Sequence, residues 1–190
     1  MALKVNWRGV YPAVPTQFHD DLSLDISNTK KHVQRLLNEG IHGLVMLGTI
    51  GENCSLRMEE KVEVLKAIVE VAKGKVPILT GVSEYTTQGA CETVAAAKEV
   101  GVDGIMLMPA MVYKSDEREN MTHYRTVSTS TDLPIMCYNN RPVYSVDMSP
   151  ENFKELADVE NIVCIKEASG DARIITDLIN TLGERFIIFA

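Results

Sequence analysis

The sequence predicts an α/β fold, a parallel (β/α)8 barrel of the TIM type, and three observations carry that expectation. Short, wholly apolar runs recur along the chain, amphipathic stretches with helical spacing separate them, and polar residues suited to chemistry stand at the ends of several successive runs.

The apolar runs occupy residues 10–18, 43–48, 76–82, 104–109, 134–138, 162–165 and 186–190. Ile78-Leu79 and Ile105-Met106-Leu107 are apolar at both alternating positions, which marks strands covered on two faces in a parallel sheet. Between the runs, Val33, Leu36 and Leu37; Leu65, Ile68 and Val69; Ala90, Val94 and Ala97; and Ile174, Ile175 and Leu178 recur with helical spacing. Each gap is therefore a helix with one buried face. Gly40, Gly101 and Gly183 close helical runs, and Ser149 before Pro150 reads as an N-cap with proline at the first helical position. A doubly wound sheet fits the same alternation, but no G-x-G-x-x-G follows the first run, which favours the barrel. A complete barrel takes about 250 residues. This chain has 190 and stops inside its seventh run, so the expectation is one domain over residues 1–190, truncated within strand seven and incompletely closed.

With 45% hydrophobic and 24% charged residues, the chain has enough apolar content for a sizeable core. The net charge of −7, with acids and bases interleaved, excludes a basic face for nucleic acid or a polybasic membrane patch and leaves small molecules as expected ligands. Cys54, Cys91, Cys137 and Cys164 are scattered, which fits reduced thiols in a cytoplasmic protein. No run is long enough to span a bilayer and no secretory leader is visible, so a cytoplasmic location is expected. His19, His32, His42 and His123 are dispersed and suggest neither a metal site nor a triad. Ser55, Glu59 and Glu60 read as helix-start residues, as do residues 116–119, and Met106, Met108 and Met111 read as core or pocket lining.

The chemistry centres on Lys166, which ends an otherwise apolar run. Alternation puts Cys164 and Lys166 on one face, with Val163 and Ile165 on the other. If the first face is the barrel interior, Lys166 stands at the C-terminal mouth. Desolvation there lowers its pKa and leaves neutral amine to attack a keto group. The competing reading is a lysine that reaches solvent or pairs with Glu167. Tyr138 ends its own run on the face of Met136, where a phenol can shuttle protons. Thr49 lies between Gly48 and Gly51, glycines that let backbone amides approach a carboxylate.

Three segments, Leu47-Gly48-Thr49-Ile50-Gly51-Glu52, Tyr138-Asn139-Asn140 and Ile165-Lys166-Glu167-Ala168-Ser169-Gly170, fall in order on the second, fifth and sixth runs. They resemble the G-T-T-G-E loop, the Y-N-x-P turn and the I-K-E-A-S/T-G signature of the dihydrodipicolinate synthase and N-acetylneuraminate lyase family. The likeness extends over essentially the whole chain. It implies a lyase that forms a Schiff base between Lys166 and a 2-keto acid, with Tyr138 as proton shuttle. Thr49 would hold the substrate carboxylate and pass a proton to Tyr138. Gly48, Ile50, Gly51, Tyr113 and Asn140 would bind substrate. No metal or cofactor is implied, because the protonated imine is itself the electron sink, and full-length relatives assemble as homotetramers.

The chain departs from that pattern in three places. Ile50 stands where the loop's second threonine is expected, which removes a hydroxyl from the carboxylate site. Pro109-Ala110-Met111-Val112-Tyr113 replaces paired tyrosines after proline, which puts the relay hydroxyl usually lent by a neighbouring subunit in doubt. Val143 aligns with the arginine that dihydrodipicolinate synthase uses for its second substrate, with Arg141 two positions earlier, and this argues against lysine biosynthesis. Together these features resemble the hydroxyproline-catabolism branch and imply a Δ1-pyrroline-4-hydroxy-2-carboxylate deaminase-like activity. The alternatives are a pyruvate-dependent aldolase of the N-acetylneuraminate or keto-deoxy sugar acid type, dihydrodipicolinate synthase itself, a small-ligand sensor, or a noncatalytic truncated paralogue.

Overall fold

The computed structural model describes residues 3–190. Six strands, β1 (Leu44–Met46), β2 (Ile78–Val82), β3 (Gly104–Leu107), β4 (Ile135–Asn139), β5 (Ile162–Glu167) and β6 (Ile187–Phe189), lie in one sheet in sequence order. Every pairing is parallel. Helices α1 (Ile26–Asn38), α2 (Met58–Ala72), α3 (Thr87–Val100), α4 (Glu117–Thr129), α5 (Arg141–Tyr144), α6 (Pro150–Glu155) and α7 (Arg173–Leu182) run between or before the strands. The α/β alternation is as expected, and the six strands form a curled part-barrel.

The helices start where side-chain oxygens satisfy their first amides. Asp25 caps α1, Thr86 caps α3, and Asp116 with Glu119 forms a capping box on α4. Ser149 caps α6 with proline in the first turn, and Gly101 closes α3 in the left-handed conformation, both as the sequence indicates. Around Glu60 the start is displaced: α2 begins after Arg57, whose amide donates to Glu60, while Ser55 belongs to a preceding single 3-10 turn.

Alternation along the strands sorts the core into two layers. Leu44, Met46, Ile78, Ile105, Ile135 and Ile165 face the helices, packing with Val33, Ile68, Val94, Val127 and Phe153. Val45, Leu79, Met106, Met136 and Cys164 face inward with Trp7. Inside the curl, the ring of Tyr11, from the segment that bridges to β1, meets that of Phe189 on β6 edge-on at 5.1 Å.

Two expectations are corrected here. Residues 10–18 do not form a regular strand; a single parallel bridge joins Ala13 to Val45. Val14 donates to the Val45 carbonyl and Val45 donates to that of Pro12, but Pro12 and Pro15 have no amide to extend the ladder. Val163 does not oppose Cys164 across the sheet. Both belong to the inner layer, because the β4–β5 register slips between Ile135 and Met136.

Candidate active site

Tyr138 and Lys166 are direct register partners near the carboxyl ends of β4 and β5. Past the register slip the alternation resumes, so Lys166 shares the inner face with Cys164. Its Nζ lies 4.1 Å from the centre of the Tyr138 ring and 4.0 Å from Met106 Sδ. Burial pushes the amine below the ordinary lysine value, with no carboxylate among the described residues paired to it. Glu167 points the other way: buried, it accepts from Asn139 Nδ2 at 2.8 Å and from the Ser169 amide at 2.6 Å. The ion pair with Glu167 that the sequence left open does not form.

Asn139 ties down the chain that follows Tyr138. Its Oδ1 accepts from the Met148 amide at 3.0 Å, and its Nδ2 reaches the Met148 carbonyl as well as Glu167. The intervening residues fold as the single turn α5, capped by Asn140, whose Oδ1 accepts from the Val143 amide. Asn140 Nδ2 also donates to the Tyr138 hydroxyl at 2.9 Å. The Tyr144 ring at the end of α5 packs edge-on against Tyr138, with centroids 5.5 Å apart.

The loop after β1 is held in an uncommon shape. Leu47 and Glu52, neither of them glycine, have positive φ values of 50° and 57°. Gly51 lies against Leu47, where a β-carbon would come within 2.8 Å of backbone, and its carbonyl accepts from the buried Thr16 hydroxyl at 2.8 Å. Gly48 lies beside Met106, the residue that also touches Lys166. The exposed Thr49 has its Oγ1 2.6 Å from the Tyr144 hydroxyl.

Lys166, Tyr138, Asn140, Gly48 and Thr49 are thus gathered at one end of the strands, but the hydroxyl partners differ from those expected. Thr49 bonds to Tyr144 and not to Tyr138. Tyr144 is the residue sequence reasoning missed; the available signal was a second tyrosine six positions after Tyr138, behind an asparagine and a proline able to start a helical turn. Tyr113 does not join the group: its exposed phenol donates to Glu119 at 2.9 Å. It lines an outer cleft of about 550 Å3 with Tyr85, Thr87, Val112, Arg118 and His123. Ile50 is 61% exposed beside Thr49. Val143 is exposed on α5, and Arg141 turns to Asp147 at 3.5 Å. Glu52 caps nothing with its side chain.

Fold and site together define a class: a parallel (β/α)-barrel protein with a desolvated lysine and two phenols at the carboxyl ends of its strands. The chain belongs to the dihydrodipicolinate synthetase family, whose model matches residues 6–190. It is 36% identical over 187 residues to the 4-hydroxy-tetrahydrodipicolinate synthase of Desulforamulus reducens, covering 98% of this chain and 63% of that protein. The crystal structure of dihydrodipicolinate synthase from Aquifex aeolicus superposes with a TM-score of 0.91 at 29% identity, over 96% of this chain and 62% of that one. The Acinetobacter baumannii dihydrodipicolinate synthase, solved in complex with pyruvate, superposes with a TM-score of 0.89 at 32% identity, over 93% and 60%. The chain therefore spans somewhat less than two thirds of these relatives. They carry the synthase name and not that of the hydroxyproline-branch deaminase.

Proposed function

We propose that this chain carries the imine-forming centre of a lyase acting on a 2-keto acid, with pyruvate as the simplest substrate. The observation behind this is the desolvated amine of Lys166, with no carboxylate paired to it among the described residues, against the Tyr138 ring at the carboxyl end of β5. In the reaction, neutral Nζ attacks the keto carbon and the carbonyl oxygen takes up a proton, giving a carbinolamine. Tyr138 protonates the departing hydroxyl, which leaves as water, and the nitrogen lone pair closes the protonated imine. Asn140 positions that phenol through its 2.9 Å bond. Thr49 and the amides of the glycine-flanked loop are assigned to the substrate carboxylate. The imine then withdraws electrons from the adjacent carbon, so the chain supplies its own electron sink.

Incubation with pyruvate and borohydride tests this. The reduced adduct is expected on the peptide containing Lys166, and an unmodified peptide rejects the reading. Lys166→Ala should eliminate the adduct, and Tyr138→Phe should slow its formation by about 100-fold.

A second, finer reading concerns the substrate. The relatives' names favour condensation of pyruvate with another carbonyl compound. Ile50, Val143 and the outward pairing of Arg141 with Asp147 withhold a hydroxyl and a cation from the mouth. That favours Δ1-pyrroline-4-hydroxy-2-carboxylate, which needs no cation for a second carboxylate. Ammonia released from this pyrroline supports the deaminase; carbon–carbon bond chemistry with pyruvate and no ammonia release rejects it.

A further inference from the structure

The Thr49–Tyr144 contact joins two elements that are far apart in sequence. Tyr144 is half-buried and held from several sides: its ring lies edge-on against Tyr138, Asn140 caps its helical turn, and Asn139 anchors the chain at Met148. Thr49, in contrast, is exposed, and a free threonine hydroxyl there would share its proton among several rotamers and water. Of a phenol and an alcohol, the phenol is the stronger acid and so the better donor, which makes Thr49 Oγ1 the acceptor. Burial pushes the Tyr144 phenol up and keeps it protonated for that role. With Oγ1 engaged, the threonine's own proton is left to point elsewhere, and hydrogen bonds in series strengthen one another. Ile50 supplies no second hydroxyl, so Thr49 is the side-chain donor this loop has.

We propose that Tyr144 is a positioning residue that holds Thr49 Oγ1 as an acceptor and so turns the Thr49 proton toward the carboxylate of the bound 2-keto acid. The inference rests on the imine chemistry assigned to Lys166.

The test is borohydride trapping on Lys166 with two probes, pyruvate and acetone, the second lacking a carboxylate. In Tyr144→Phe, which keeps the ring, the preference for pyruvate over acetone should fall by about 10-fold, the worth of one hydrogen bond to a charged group. The loss should appear as a higher half-saturating pyruvate concentration. Thr49→Val should lose at least as much, Thr49→Ser should regain most of it, and the Tyr144→Phe/Thr49→Val double variant should be no worse than Thr49→Val alone. A parent chain that traps neither probe overturns the imine reading and this inference with it. Trapping that is intact in the parent, with full pyruvate preference in Tyr144→Phe or additive losses in the double variant, overturns this inference alone. Thr49→Val leaves Tyr144 in place, so an undiminished preference in that variant overturns it even if Tyr144→Phe fails to fold.

Discussion

Lys166 Nζ has a thioether and the face of a phenol ring as neighbours, and these offset only part of the hydration its ammonium gives up. The fold thus carries an unfavourable group where reactivity needs one, and removing it should stabilise the protein. Lys166→Met, similar in length and uncharged, is expected to raise stability by about 1 kcal/mol, read from the denaturant midpoint, while abolishing the pyruvate adduct. Because the folded-state amine titrates below the ordinary value of 10.5, adduct formation should reach half its plateau below that pH. The unfolded chain holds the proton to higher pH, so the Lys166 contribution to stability improves as pH rises through the window beneath 10.5. His123 gives the same sign in a lower window. Its buried ring bonds to the Met108 carbonyl and the Thr87 hydroxyl, and burial holds its pKa below 6.5. A carbonyl only accepts, so Nε2 carries the proton and Nδ1 accepts from Thr87. Stability should fall as pH drops below 6.5, because the unfolded chain protonates first, and His123→Gln should flatten that slope in a pH series of melting curves.

Elements deliver these residues through two anchors. The first is Asn139, which links β4 to Glu167 on β5 and to Met148, so that α5 is pinned at both ends. Asn139→Ala strands the buried Glu167 carboxylate and the Met148 amide. It should cost about 1–3 kcal/mol in chemical denaturation. Loosened α5 should also weaken the Tyr144–Thr49 contact and slow trapping on Lys166, whereas a surface substitution such as Lys154→Ala on α6 should do neither. The second anchor is the close approach of β2 to the loop after β1: a β-carbon at Gly81 would stand 2.2 Å from the Leu47 carbonyl oxygen. The atoms it would meet are all backbone of Leu47 and Gly48, so Gly81→Ala should destabilise by about 2 kcal/mol and displace Thr49. At this scale the helix starts at Asp116 and Ser149 were legible, because a cap is a local contact between neighbours in sequence. The failed strand at residues 10–18 was legible in principle from Pro12 and Pro15, but its apolar pattern outweighed them.

At the scale of the whole molecule, the sheet of the described residues has an order β1 to β6 with no closing pair between its ends, and among them β6 pairs with β5 alone. Ile187, Ile188 and Phe189 are only partly buried. An unpaired, apolar edge favours association, so the 190-residue chain should sediment as species heavier than its 21.1 kDa monomer. A single monomeric boundary at micromolar concentration would argue that the edge is protected. The alternation of apolar runs and amphipathic stretches was enough to determine parallel β/α architecture, the shared face of Cys164 and Lys166 and the place of Lys166 and Tyr138 at the ends of their runs, since each follows from local periodicity. Only the tertiary structure decided that Val163 turns inward, that Tyr113 faces an outer cleft, and that Thr49 pairs with Tyr144. Those outcomes depend on a register slip, the curl of the sheet and one helical turn anchored by Asn139, and such long-range contacts leave no period in the sequence.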